Sequence, residues 1–142
     1  MKPKMSVAEL QEFIAREFPQ LGDDFLIESI HAEGVTVRLN VADRHLRPGG
    51  TVSGPSMFSL ADVGMYLAVL ARIGPVPLAV TTQCSIDFMR KPKAGLDLIC
   101  EIRLLKLGRT LAVGDALIRS AGHDAVVARA SLTYSIPPKS MG

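Results

Sequence analysis

One segment limits the possible folds more than any other. Met57-Phe58-Ser59-Leu60-Ala61-Asp62-Val63-Gly64-Met65-Tyr66-Leu67-Ala68-Val69-Leu70-Ala71 is apolar around the whole circumference of a helix. Its ionisable groups are the Asp62 carboxyl and the Tyr66 phenol. A helix apolar on every side is either enclosed in a core or spans a bilayer. A span needs about 20 apolar residues and tolerates a central carboxylate poorly. This run is shorter and contains Asp62, so it reads as a buried helix from Ser56 to about Ile73. Ser53 or Gly54 is the expected N-cap, Pro55 the first helical residue, and Gly74-Pro75 the stop.

The rest of the chain supplies what must wrap that helix. Ser6-Val7-Ala8-Glu9 has the form of a capping box, and Leu10, Phe13, Ile14 and Phe18 follow at helical spacing until Pro19 and Gly22. This predicts a short amphipathic N-terminal helix within residues 1–22. Extended patterns occupy Phe25–His31 and Val35–Val41, the second with Val35, Val37, Leu39 and Val41 on one face. After the buried helix come Leu78–Met89, Leu96–Leu107, Arg109–Ser120 and Ala125–Ile136, separated by Lys91-Pro92-Lys93-Ala94-Gly95, Gly108 and Ser120-Ala121-Gly122-His123-Asp124. The last three strands should form an antiparallel meander. The architecture implied is α+β, one long helix packed on a curved antiparallel sheet, in a single domain over residues 1–142.

Composition narrows the partners. Sixteen Lys and Arg against fourteen Asp and Glu leave a net charge of +2, too balanced for a protein that lives on a phosphate backbone. A hydrophobic fraction of 48% excludes wholesale disorder. Cys84 and Cys100 cannot build a disulfide framework, and no Cys/His cluster has zinc spacing. The start lacks the apolar core of a signal peptide, which fits a cytoplasmic protein with reduced thiols and no membrane partner.

Asp62 then carries the most information. A lone buried carboxylate costs several kcal/mol unless it has partners. Either it pairs with Arg47, Arg44 or a lysine, or it is held in a cleft as nucleophile or general base. The helix start offers a second group: the Gly54 N–H lies at the positive end of the helix dipole, where it could receive a developing oxyanion. Gly54 and Asp62 are eight positions apart, or roughly 12 Å along a helix. One ester or thioester carbonyl cannot touch both within one subunit. If they act together, two copies must share each site.

These residues resemble a known family. Gly50-Thr51-Val52-Ser53-Gly54-Pro55-Ser56-Met57-Phe58-Ser59-Leu60-Ala61-Asp62 resembles the signature of hotdog-fold thioesterases: glycine, a variable and an aliphatic residue, His-Gly-Gly, and an acidic residue nine positions after the histidine. The branch it resembles most is that of phenylacetic-acid-degradation and 4-hydroxybenzoyl-CoA thioesterases. Val80-Thr81-Thr82 through Ile86-Asp87-Phe88-Met89-Arg90-Lys91-Pro92 and Leu105-Lys106-Leu107-Gly108-Arg109-Thr110-Leu111-Ala112 extend the likeness, which covers about residues 25–137. It implies a hotdog fold, edge-to-edge homodimers often paired into tetramers, and metal-independent hydrolysis of acyl-CoA thioesters. Coenzyme A enters only as part of the substrate, without a separate cofactor and without nucleic acid.

Carried over by residue, the resemblance gives Gly54 as the backbone oxyanion donor. Asp62 of the other subunit becomes nucleophile or base, and Thr81 a hydroxyl that helps to orient water. This chain has Ser53 where the family has His, Pro55 where it has a second Gly, and Arg47 where Asn or Gln is common. Arg47, Ser53 and Pro55 are therefore expected among the substrate-contacting residues, with Arg47 either paired to Asp62 or bound to a substrate carboxylate. Tyr66, with Phe58 and Phe88, is the expected large side chain of the pocket or interface. Arg90, Lys91 and Lys93 at one turn, and Lys106 and Arg109 at another, are placed to meet the coenzyme A phosphates.

Two other functions fit the same fold. A non-catalytic acyl-CoA binding protein is suggested by Ser53 and Arg47. A hydratase would need a His with an acidic partner in the site, and of His31, His45 and His123 only His45 lies near the motif.

Overall fold

The computed structural model describes residues 2–138 as two helices and six strands. In chain order these are α1 (Val7–Glu17), β1 (Phe25–His31), β2 (Gly34–Leu39), α2 (Gly54–Ile73), β3 (Val80–Phe88), β4 (Leu98–Leu107), β5 (Leu111–Ser120) and β6 (Val126–Ser135). Two single 3-10 turns, Pro19–Leu21 and Asp43–His45, lie in segments whose sequence reads as helix stop and loop. One antiparallel sheet runs in the order β1-β2-β4-β5-β6-β3. The expected meander is therefore β4-β5-β6. This is the α+β hotdog arrangement.

The 20 residues of α2 are long and apolar enough by themselves to cross a membrane, so length does not exclude a span as expected. Burial decides the matter: Leu60, Met65, Leu67 and Leu70 are fully enclosed by Val35, Val37, Leu98, Ile102, Ile118 and Leu132 of the sheet. Ser53 is the N-cap, its hydroxyl accepting from Ser56 N–H at 3.3 Å, which places Pro55 one residue further in than expected.

The two free edges of the sheet differ. Along β1, the Gln11 side chain of α1 donates to Phe25 O at 3.1 Å and accepts from Ile27 N–H at 2.9 Å. The capping box that fixes α1 is complete, with Ser6 and Glu9 each bonded to the other's backbone N–H. The β3 edge has no such cover among the described residues, and the apolar side chains Leu78, Val80, Phe88, Met89 and Phe58 are exposed around it. Exposed, unpaired strands are templates for further pairing.

The loop that delivers α2 is pinned by buried His45. Its Nδ1 accepts the Ala42 N–H at 2.8 Å, Nε2–H donates to Asp24 at 3.1 Å, and its carbonyl accepts from Ser53 N–H at 2.8 Å. Protonating Nδ1 would break the first of these bonds. Burial, then the neighbouring Arg44 charge, hold this imidazole below its usual range. The unfolded chain therefore binds the proton first as pH falls. The stabilisation is complete above the ordinary histidine value of about 6.5 and declines as pH drops toward the depressed folded value. Melting temperature should fall across that window, and more shallowly in His45→Gln.

Candidate active site

Asp62 sits a little over two turns into α2, half-buried, facing the start of β3 and the end of β6. The pairing of Thr81 with Tyr134 across those strands sets two hydroxyls beneath it. Thr81 Oγ1 donates to Asp62 Oδ1 at 2.5 Å, and Tyr134 Oη lies 2.9 Å from the same oxygen and 2.9 Å from the Asp62 carbonyl. These hydrogen bonds give the half-buried carboxylate its partners, and among the described residues it has no ion pair. Burial, then the Asp62 charge, push the Tyr134 phenol well above its ordinary range, so it stays a donor at neutral pH. The Cys84 thiol on β3 is pushed up by the same two causes.

The positive end of α2 lies elsewhere. Gly54, Arg47, Arg90 and Lys91 line a cleft of about 390 Å³ with Phe88 and Met57. Phe88 lies across Gly54: a Cβ there would stand 3.3 Å from its exposed ring. Its N–H donates to no described residue. Arg47, Arg90 and Lys91 are exposed and make no ion pair among the described residues, so their charges face the cleft mouth uncompensated.

The structure thus brings Asp62 and Thr81 together, and separately Gly54, Arg47, Arg90 and Lys91. Ser53 serves α2 as its cap, and Pro55 is exposed beside it. Tyr66 is buried one turn beyond Asp62, outside the cleft. Its hydroxyl donates to Pro77 O at 3.0 Å and its ring packs between Phe18 and Tyr134. Arg109 is exposed in the β4–β5 turn, near the Val80 end of β3 and away from Arg90 at the other end. His45 has an acidic partner in Asp24, but its two ring nitrogens are engaged in holding a loop. Tyr134 is the site residue that sequence reading missed. The signal was its inward position in the alternation of β6, shared with Leu132 and Ala130. No group of three or more His, Cys, Asp or Glu is gathered among the described residues.

Comparison with known proteins gives the family of the chain. The family model described as thioesterase superfamily matches residues 49–127, the segment carrying Asp62, Thr81 and all of the cleft but Arg47. A candidate esterase of Pseudomonas aeruginosa is 33% identical over 104 residues, covering 72% of this chain and 75% of that one. The crystal structure of a candidate thioesterase from Silicibacter sp. TM1040 superposes with a TM-score of 0.91 at 56% identity, covering 97% of this chain and 96% of the other. A Streptococcus mutans protein solved with acetyl-CoA bound is 28% identical, with a TM-score of 0.72 over 83% of this chain and 92% of its own. With the family model matching over half of its length and these relatives beside it, the chain belongs to the thioesterase superfamily and is a thioester hydrolase.

Proposed function

We propose that the protein hydrolyses an aromatic or medium-chain acyl-CoA to the free acid and coenzyme A, at sites shared between two copies. The observation that carries this reading is the separation of the two half-sites along β3. Asp62 and Thr81 lie at the Val80 end, whereas Gly54, Arg90 and Lys91 lie at the Phe88 end. Pairing β3 antiparallel with β3 of a second copy sets one end against the other. Each Asp62 then faces the cleft of its neighbour, and Arg109 joins the same composite site. The uncovered β3 edge and its exposed apolar side chains support that pairing. An antiparallel pair of this kind has a two-fold axis, and further pairing of dimers is compatible with it.

In the composite site the thioester carbonyl accepts from the Gly54 N–H of one subunit. An oxygen of Asp62 from the other attacks the carbonyl carbon, directly or through a water that it deprotonates. The oxyanion collapses, the C–S bond breaks, and the coenzyme A thiolate leaves and takes up a proton. In the direct route this leaves an acyl–Asp62 anhydride, which water then hydrolyses to the free acid and the regenerated carboxylate. The helix dipole and the Gly54 donor favour the charge that develops on oxygen. Arg47, Arg90 and Lys91 meet the coenzyme A phosphates, which suits the acetyl-CoA complex of the S. mutans relative. Free Cys84 and Cys100 are consistent with a reducing, cytoplasmic setting.

Thiol release across a panel of acyl-CoAs tests the proposal. Turnover of at least one aromatic or medium-chain member is the expected result, and tight binding of coenzyme A thioethers without any hydrolysis would replace it with the binding-protein reading. Arg90→Gln and Lys91→Gln should each raise KM for acyl-CoA by about 3- to 10-fold with kcat nearly unchanged, as expected for charge contacts remote from the reacting bond. The effect should vanish with acyl-pantetheine substrates, which lack the nucleotide.

A further inference from the structure

Two hydroxyls converge on one oxygen of the Asp62 carboxylate. Thr81 and Tyr134 both reach Oδ1, while Oδ2 takes no hydrogen bond among the described residues. Tyr134 does more than Thr81, because the same phenol also reaches the Asp62 carbonyl. Its proton is shared between the backbone and the side chain of one residue, which ties the carboxylate plane to the helix that carries it. We propose that Tyr134 is the positioning residue of the reaction, holding Oδ1 so that Oδ2 is the oxygen that attacks or takes a proton from water. This rests on the thioesterase reading above.

The chemistry follows from the asymmetry. An oxygen that accepts two O–H bonds has its lone pairs occupied and its charge partly offset, so it is the poorer base and nucleophile. The other oxygen keeps a free lone pair and a fixed direction. Tyr134 cannot easily swing away: it is buried, and the Tyr66 ring lies against it at 6.3 Å. Tyr66 is in turn held by its bond to Pro77 O and by the edge-on Phe18 ring at 6.0 Å. Among the described residues, the ionisable groups near Asp62 are Cys84 from β3, Tyr134 from β6 and Tyr66 from its own helix. Burial favours the neutral form of all three. Within one chain, hydroxyl donors rather than cations therefore meet the carboxylate.

Tyr134→Phe removes the donor and keeps the ring. The expected result is a loss of about 10-fold or more in kcat with KM within about twofold. The loss should fall on kcat and not on KM, the split expected when the attacking oxygen is misdirected while the substrate contacts stay intact. Placing 3-fluorotyrosine at position 134 gives a stronger donor of nearly the same shape. It should keep kcat within about threefold of the parent, and it keeps the test available if Tyr134→Phe fails to fold. An unchanged kcat in Tyr134→Phe, a rise in KM that accounts for the loss, or a fluorotyrosine protein whose kcat falls by about 10-fold although the donor is kept would overturn the proposal. Asp62→Asn, measured beside them, separates the two readings: if it is inactive while the Tyr134 variants match the parent, only the positioning role fails. If Asp62→Asn matches the parent, the thioesterase mechanism itself fails.

Discussion

Asp62→Asn lowers thioester turnover by about 10²- to 10⁴-fold, the range lost with a general base, or further if the carboxylate is the nucleophile. The expectation rests on how little else the substitution changes. An asparagine has the same shape, and its carbonyl oxygen can still accept from Thr81 and Tyr134 in the place of Oδ1. Only the opposite oxygen is replaced by an NH₂ group that can neither attack a carbonyl nor take a proton from water. Melting temperature should therefore stay within a few degrees of the parent while activity is lost. Asp62→Ala should be at least as inactive and also less stable, because the half-buried Thr81 hydroxyl loses its acceptor and Tyr134 keeps only the backbone carbonyl. A chain carrying Gly54→Leu should be inactive for the opposite reason, its side chain forced against Phe88 over the oxyanion donor. Co-expressing the two inactive chains should return partial activity, since a mixed pair holds one site with neither defect. Absence of any recovery would argue for sites built within one chain.

The second large effect is on stability and lies far from the site. Gly34→Ala should cost about 3 kcal/mol or more and lower Tm by about 10 °C, measured by thermal or urea unfolding. A Cβ on Gly34 would stand 1.7 Å from the Ile102 carbonyl oxygen and 2.7 Å from its carbon. Both are backbone atoms of β4, so no rotamer change can relieve the clash. The β1–β2 hairpin would have to lift from β4, breaking a ladder that runs from Gly34 to Leu39. It would also pull away from Arg72, whose buried guanidinium donates to the carbonyls of Gly34 and His31. That cation has no carboxylate partner among the described residues, so its loss of acceptors adds to the cost. Gly122→Ala makes a useful contrast. There φ is +81° but nothing lies within 4 Å, and a penalty of about 1 kcal/mol from backbone conformation is all that is expected.

These two residues also show what a sequence can and cannot disclose. Asp62 stood out because a carboxylate interrupts a helix otherwise apolar on all sides, a conflict visible without knowing any partner. Gly34 did not, since it follows Ala32-Glu33 and reads as an ordinary turn residue, whereas it is the first residue of β2 and its bareness serves β4. Strand positions were legible from alternation, with ends that moved by two residues at most where a side chain or turn claims the backbone. Asp97, for example, accepts from Val41 N–H and Arg38 just before β4 begins. Tyr134 lies 72 positions from Asp62, and nothing near it indicates that β6 pairs with β3. Arg109 and Arg90 looked alike as turn cations, and only the strand order assigns them to opposite ends of one edge.

The amide of Gln11 has a consequence for assembly. By occupying one donor and one acceptor at the start of the β1 edge, with α1 packed beside it, it makes that flank a poorer template than the uncovered β3 flank. Molecules with a single adhesive flank stop growing once two have met, whereas two such flanks would let them string into fibres. A small side chain on the N-terminal helix thus guards against runaway polymerisation at the end of the molecule opposite to the chemistry.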